Sequence, residues 1–378
     1  MALPRSPEKG APVTDTAPNY ADYLKLGQLL ELQGGLEDNE SELIPDELLF
    51  IVVHQALELW FKIVNRELRL ARDHLSAPEV ADETVPHVVA HLRRINKVLG
   101  LAVDHFQVME TLTPQDFLGF REKITPASGF QSSQMREMEI LLGMGDKQRV
   151  RYGKVDPIEH LEKLSKTGDA GACAWARVQA VQTETSFQSA LRTWLYRTPI
   201  HGSMPGDDND DAVVTGFITS YLNNFDGFMD RQCEKLKTNM PESGDNSKRF
   251  AESKASAASF LHAEDAPADD RPRLRRIRAG LLFIESYRTL PLLAWPRVLL
   301  DTVVELEELS LVWRHRHARM VERMIGRRVG TGGSSGVDYL DKTTKIRIFT
   351  DLWAVRTVMM PKDTLPPLQN PAFYGFAR

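Results

Sequence analysis

The sequence predicts an all-α fold, a helical bundle. Three observations carry this: apolar residues recur at three- and four-residue steps, helix start and stop signals bracket those runs, and no run of alternating apolar and polar residues marks a strand. In chain order, residues 1–18 are proline-containing and charged and are expected to form a disordered arm. Residues 19–378 are expected to form a single all-helical domain. Pro45-Asp46-Glu47 opens the first long helix, with proline where no amide hydrogen is needed and acids on the positive end of the dipole. Leu49, Val53, Leu57, Trp60, Val64 and Leu68 carry that helix through about seven turns. A second helix starts near Pro86 and carries Val89, Leu92, Leu99, Phe106 and Met109. Thr113-Pro114 opens a short third one through Arg121. Gly129 breaks it, and Gln131 to Leu142 resumes a helix that Gly143 ends. Residues 203–212 and 240–272 are polar, charged and proline-containing; they read as surface loops, a polar insertion around 200–272. The clearest helix runs from about Arg297 to Ile325 and stops at Gly326. A glycine-rich segment, 330–336, precedes a last helical stretch from Lys345 to Val358.

Composition narrows the function classes. The 378 residues are 42% hydrophobic, enough for a substantial core. With 47 basic against 52 acidic residues the net charge is -5, which gives no reason to expect a nucleic-acid or anionic-membrane partner. Cys173 and Cys233 form no CxxC motif or disulfide framework, so a reducing cytoplasm is expected. Met1 to Asn19 lacks the apolar core of a secretion signal, and the longest apolar run, Leu48 to Val53, is far too short to span a bilayer.

Four features suggest chemistry. Leu299, Val303, Leu306, Ser310, Trp313, His317, Met320 and Met324 fall on one helical stripe, so His317 sits on an apolar seam while His315 points elsewhere. A neutral imidazole so placed suits a heme proximal site, its second nitrogen donating to a partner; a hydrogen-bonded core histidine is the plainer reading. Phe50 and His54 are four apart and share a face, either as a pocket wall or as core packing. Phe117 and Arg121 repeat the spacing, and an arginine beside a ring can clamp a carboxylate or merely lie along the surface. The segment GTGGSSG lacks the lysine and the preceding strand of a phosphate loop. It reads as a connector, or as a lid with Thr331 supplying a hydroxyl.

These segments together resemble the tryptophan 2,3-dioxygenase family. The matching pieces are Asn19-Tyr20-Ala21-Asp22-Tyr23-Leu24, DELLFIVVHQALELWFK (46–62), DFLGFREKITPASGFQSSQMRE (116–137) and WRHRHARMVERMIG…GTGGSSGVDYL from Trp313 to Leu340. The resemblance implies a b-type heme between helices, ferrous when active, in a homotetramer. It implies His317 as the axial iron ligand and His54 as the catalytic-site histidine that meets the indole N–H. Phe50 and Phe117 would wall the ring, Arg121 would pair with the substrate carboxylate and Thr331 would meet the ammonium group. Tyr20, Tyr23 and Leu24 would complete a neighbouring subunit's pocket. L-tryptophan or a close derivative and O2 are the implied substrates, and N-formylkynurenine the product of insertion across C2–C3.

Two departures stand out: Phe117 replaces a tyrosine frequent in bacterial members, and residues 195–272 align with no typical bacterial member. Two other outcomes therefore stay open. A monooxygenase relative would make a 2-oxindole with the same binding residues. A non-catalytic helical heme sensor would not need Arg121 and Thr331. A di-iron carboxylate bundle is disfavoured, since none of the ten histidines follows a glutamate at three residues.

Overall fold

Long helices form where the apolar repeat is long. A computed structural model describes residues 17, 19–81, 83–151 and 156–375. The arm expected over residues 1–18 lies, apart from Ala17, outside the described residues. In chain order the helices are α1 (Tyr20–Leu24), α2 (Leu26–Leu29), α3 (Glu47–Ser76), α4 (Thr84–Met109), α5 (Pro114–Ile124), α6 (Ser133–Leu142), α7 (Pro157–Leu164) and α8 (Asp169–Gln182). They continue as α9 (Phe187–Tyr196), α10 (Asp210–Asn239), α11 (Ser247–Leu261), α12 (Arg271–Ser286), α13 (Ala294–Ile325), α14 (Val337–Thr343) and α15 (Thr350–Thr357). Among the described residues there is no β-sheet; one isolated bridge joins Ile200 and Ser203. The fold is all-α. No helix among the described residues is long and apolar enough to cross a membrane.

Local chemistry sets the boundaries that matter for the site. Thr113 accepts the Asp116 amide at 3.2 Å and Pro114 fills the first turn of α5, as the sequence suggests. Ser132 caps α6 through the Met135 amide, and Gly143 ends it at φ 110, a conformation open to glycine. At α3 the helix begins at Glu47, with Asp46 left-handed (φ 67) and no side-chain cap. Pro45, expected in the first turn, therefore lies outside the helix, and the buried Glu47 carboxylate accepts the Ile44 amide at 3.1 Å, tethering the segment that leads into α3.

The core forms around α4, which packs along both α3 and α13. Val88, Leu92, Ile95 and Leu99 of α4 meet Leu68 and Leu75 of α3 and Leu299 and Val303 of α13 in one buried cluster. Asn96 of α4 ties down α13, donating to the Thr302 carbonyl at 3.1 Å and to Glu305 at 3.0 Å. The backbones of α3 and α13 scarcely pack on each other. The two helices meet through side chains, Phe61 of α3 facing Trp313 of α13 edge-on at 6.0 Å, one turn before His317. Farther on, buried Glu307 of α13 accepts the amides of Ile348 and Phe349 and the indole N–H of Trp353, which fixes α15 against α13.

The polar insertion expected around 200–272 is in part helix and core. Residues 203–209 are non-helical, as expected, but α10 begins at Asp210 and its Val214, Phe217, Ile218, Tyr221 and Phe225 are buried. α11 lies inside the 240–272 stretch and buries Ala257 and Leu261. Its apolar contacts cluster at the end of the helix, at Ala257, Phe260 and Leu261, so they leave little trace along an otherwise polar stretch. Tertiary packing supplies what local hydrophobicity does not.

Candidate active site

The site is built from one end of α3, the short α5, the later part of α13 and the glycine-rich segment. Phe50 and His54, one turn apart on α3, bring their rings within 4.1 Å. α5 lays Phe117 5.8 Å and Phe120 5.4 Å from Phe50, and these two rings meet each other edge-on at 5.4 Å. Phe120 is fully buried and Phe117 half-buried, so Phe120 is the backing of the wall and Phe117 its open surface. An ion pair sets the approach of the two helices: Lys123 of α5 reaches Glu47 at 3.0 Å and Glu37 at 2.7 Å. Sequence reasoning missed Glu47, Lys123 and Phe120. Only the Phe-x-x-Phe spacing of 117 and 120, which puts both rings on one helical side, could have signalled the last of these.

The tautomer of His54 follows from its partner. Its Nδ1 lies 2.8 Å from the Phe50 carbonyl, which can only accept, so Nδ1 carries the hydrogen and Nε2 an open lone pair. Desolvation by surrounding protein holds the His54 pKa below the usual histidine value, although hydrogen bonding to Phe50 and the nearby Glu58 charge oppose it. The side chain nevertheless retains accessible surface. A group that is both crowded by protein and reachable by solvent lines a concavity.

His317 shows the same combination. Along its stripe Leu299, Val303, Leu306, Met320 and Met324 are buried, whereas Ser310, Trp313 and His317 are only half-buried. The seam therefore opens at the turn that carries the imidazole. Phe106 stacks beside the ring at 5.7 Å with planes 14° apart, and Trp313 lies 5.2 Å away. Burial, and to a lesser degree the charge His54 would carry, push the His317 pKa down to about 4. The two imidazoles thus share one electrostatic environment. The partner expected for the second His317 nitrogen is not present: among the described residues neither ring nitrogen makes a hydrogen bond.

Arg121 completes this side. Its guanidinium donates to the Val329 carbonyl, while its buried Nε has no partner. That bond draws the segment 327–336 over α5. Gly332 comes so close to Ser128 that a Cβ would stand 2.5 Å from its hydroxyl, and Gly336, at φ +60, would place one 2.5 Å from the Arg328 carbonyl. Thr331, half-buried beside them, follows Val329 by two residues. Phe50, His54, Phe117, Arg121, Thr331 and His317 are therefore carried by elements that converge. Tyr20, Tyr23 and Leu24 are not buried with them; they are 75%, 79% and 41% exposed. A surface cavity of about 370 Å³, lined by Lys62, Asn65, Arg66 and Arg177 among others, contains none of these residues.

The donor set fits a heme. A neutral imidazole without a protein partner, on a helix face that opens between packed helices, is the ligand a heme iron takes. The unpartnered Arg121 Nε and Ser128 hydroxyl are donors that an anionic group at the rim could use.

A profile of the family described as tryptophan 2,3-dioxygenase matches residues 6–359. The chain belongs to the tryptophan 2,3-dioxygenase family. A protein named tryptophan 2,3-dioxygenase from Sorangium cellulosum is 43% identical over 98% of this chain and 90% of its own length. Tryptophan 2,3-dioxygenase 2 of Ralstonia nicotianae is 45% identical over 95% and 98%, respectively. Tryptophan 2,3-dioxygenase of Aedes aegypti is 32% identical over 92% and 87%. In this member of the tryptophan 2,3-dioxygenase family, the departure at Phe117 leaves an apolar ring wall, since Phe50, Phe117 and Phe120 carry no hydroxyl.

Proposed function

We propose that this chain is a heme-dependent dioxygenase that opens the indole ring of L-tryptophan, or a close derivative, across C2–C3 to give N-formylkynurenine. The observation that carries the reading is the His54 tautomer: a lone-pair nitrogen at the gap, next to a ring wall and on the side of Arg121, is an acceptor for an indole N–H. Heme b held by His317 in its ferrous state supplies O2 binding and the redox chemistry. The protein's own part is positional. Phe50 and Phe117 hold the indole plane, His54 Nε2 accepts its N–H, and Arg121 exchanges the Val329 carbonyl for the substrate carboxylate, a charge-assisted pair. Thr331 presents its hydroxyl to the ammonium group. Fixing both ends of the amino acid makes the ring's approach effectively unimolecular. No base is needed at the N–H, so His54 orients and does not deprotonate.

The exposure of Tyr20, Tyr23 and Leu24 supports a homotetramer in which this arm closes a neighbour's pocket, since three large apolar side chains on a short helix are otherwise left in water. Two free cysteines support a reducing, cytoplasmic location. The test is the product mass from reduced, heme-loaded protein with L-tryptophan in air. A gain of two oxygen atoms supports ring cleavage; a gain of one assigns the chain to 2-oxindole formation instead. No product and no tryptophan-dependent oxygen uptake would favour the sensor.

A further inference from the structure

Far along α3 from His54, the turn into α4 gathers three more histidines. His74 of α3 lies 6.2 Å, ring centre to ring centre, from His87 and 5.7 Å from His91, with planes 25° and 24° apart. His87 and His91 are four residues apart on α4 and so lie on one face. We propose that His74, His87 and His91 form a binding site for a divalent transition metal of the zinc class, with Glu67 as the carboxylate that orients His91. Nothing in the oxygenase reading uses these residues, and the proposal does not rest on that reading.

Two features support it. First, the spacing is near what is needed: with Zn–N bonds of about 2.0–2.1 Å and tetrahedral angles, ligand ring centres stand about 5 Å apart. As the rings stand they stack, and no three donors among the described residues converge on one point. Closing 5.7 and 6.2 Å to that spacing takes side-chain rotation, beginning with His87, which is exposed. Second, His91 is already prepared. Its Nδ1 donates to the buried Glu67 carboxylate at 2.6 Å, so Nε2 holds the lone pair, the carboxylate–histidine arrangement found behind metal ligands. Arg94, also on Glu67 at 2.8 Å, is the facing cation from α4, and Asp73, salt-bridged to Arg72, is the acid beside His74 on α3. The three protein ligands leave one position for solvent.

Equilibrium dialysis of the heme-loaded protein against zinc tests this. One saturable equivalent beyond the heme iron is expected. His87→Ala, at an exposed position that can change without disturbing the core, and His91→Ala should each weaken it at least tenfold while heme content is kept. Glu67→Gln, with all three histidines intact, should weaken it by about tenfold to a hundredfold. Zinc should raise the unfolding temperature of the unaltered protein and not of His87→Ala. Absence of saturable zinc, or zinc binding that His87→Ala and His91→Ala leave unchanged, would overturn the assignment.

Discussion

The Phe50 carbonyl accepts from His54 Nδ1 at 2.8 Å, so one turn of α3 decides which nitrogen of that ring is left as an acceptor. The bond lies within the helix that carries both residues and does not depend on any other element. If Nε2 accepts the indole N–H, His54→Ser removes one neutral hydrogen bond. That is about 0.5–1.5 kcal/mol, a two- to tenfold loss in kcat/KM with heme retained. Steady-state kinetics with tryptophan and with N1-methyltryptophan check it. The methylated substrate should be penalised in the parent enzyme and much less so in the variant.

Arg121 is held by the Val329 carbonyl, a neutral partner that the proposed substrate carboxylate would displace. Arg121→Ala should raise KM for tryptophan, with a loss on the order of 2–5 kcal/mol if the substrate carboxylate is left without its charge-assisted pair. Tryptamine, which has no carboxylate, should respond little to the same substitution. Equal losses for both compounds would place the clamp elsewhere.

Acid should act on the site late. The His54 pKa is depressed and that of His317 lies at about 4, both below the ordinary histidine value. Both rings are therefore neutral at pH 7, and protonation that would destroy the acceptor and the ligand comes only below the unperturbed range. The linked stability has the opposite consequence. In the heme-free protein the unfolded chain takes up these protons first as pH falls below about 6.5, so folding stability drops from there toward the folded-state pKa values. Buried His201, whose pKa is lowered by burial and whose Nδ1 accepts the Gln369 amide at 3.3 Å, adds to the same slope. Urea titrations of the heme-free protein between pH 7 and pH 5 measure it; a flat profile would contradict the neutral assignment.

Glu307 should prove a stability residue and not a site residue. It alone accepts two amides at the start of α15 and the Trp353 indole N–H. Glu307→Ala leaves these donors buried without a partner, at about 1–3 kcal/mol for each unsatisfied group. The urea midpoint should fall with an unchanged slope.

The sequence revealed most where one residue type had to satisfy two demands. His317 broke an apolar stripe, and Thr113-Pro114 and Gly143 marked helix ends with their own chemistry, so α5, α6 and α13 could be placed. The pairs Phe50/His54 and Phe117/Arg121 were visible as spacings. Their juxtaposition was not, because it depends on the contact of Glu47 with Lys123, 76 residues away in the chain. α11 was missed because its core contacts, Ala257, Phe260 and Leu261, sit at one end of an otherwise polar stretch. At α10 the turns around Phe217 and Tyr221 are apolar on one side only and follow an acidic, proline-containing stretch. The Gly332 approach to Ser128 was also invisible, since a glycine run reads equally well as a loose connector.

A hemin titration of the purified chain, set beside that of His317→Ala, tests the whole account most directly. One equivalent should bind the parent protein and give the spectrum of a histidine-ligated ferrous heme after reduction, shifting when tryptophan is added. The variant should lose stable binding. A normal heme complement and an unaltered spectrum in His317→Ala would contradict it.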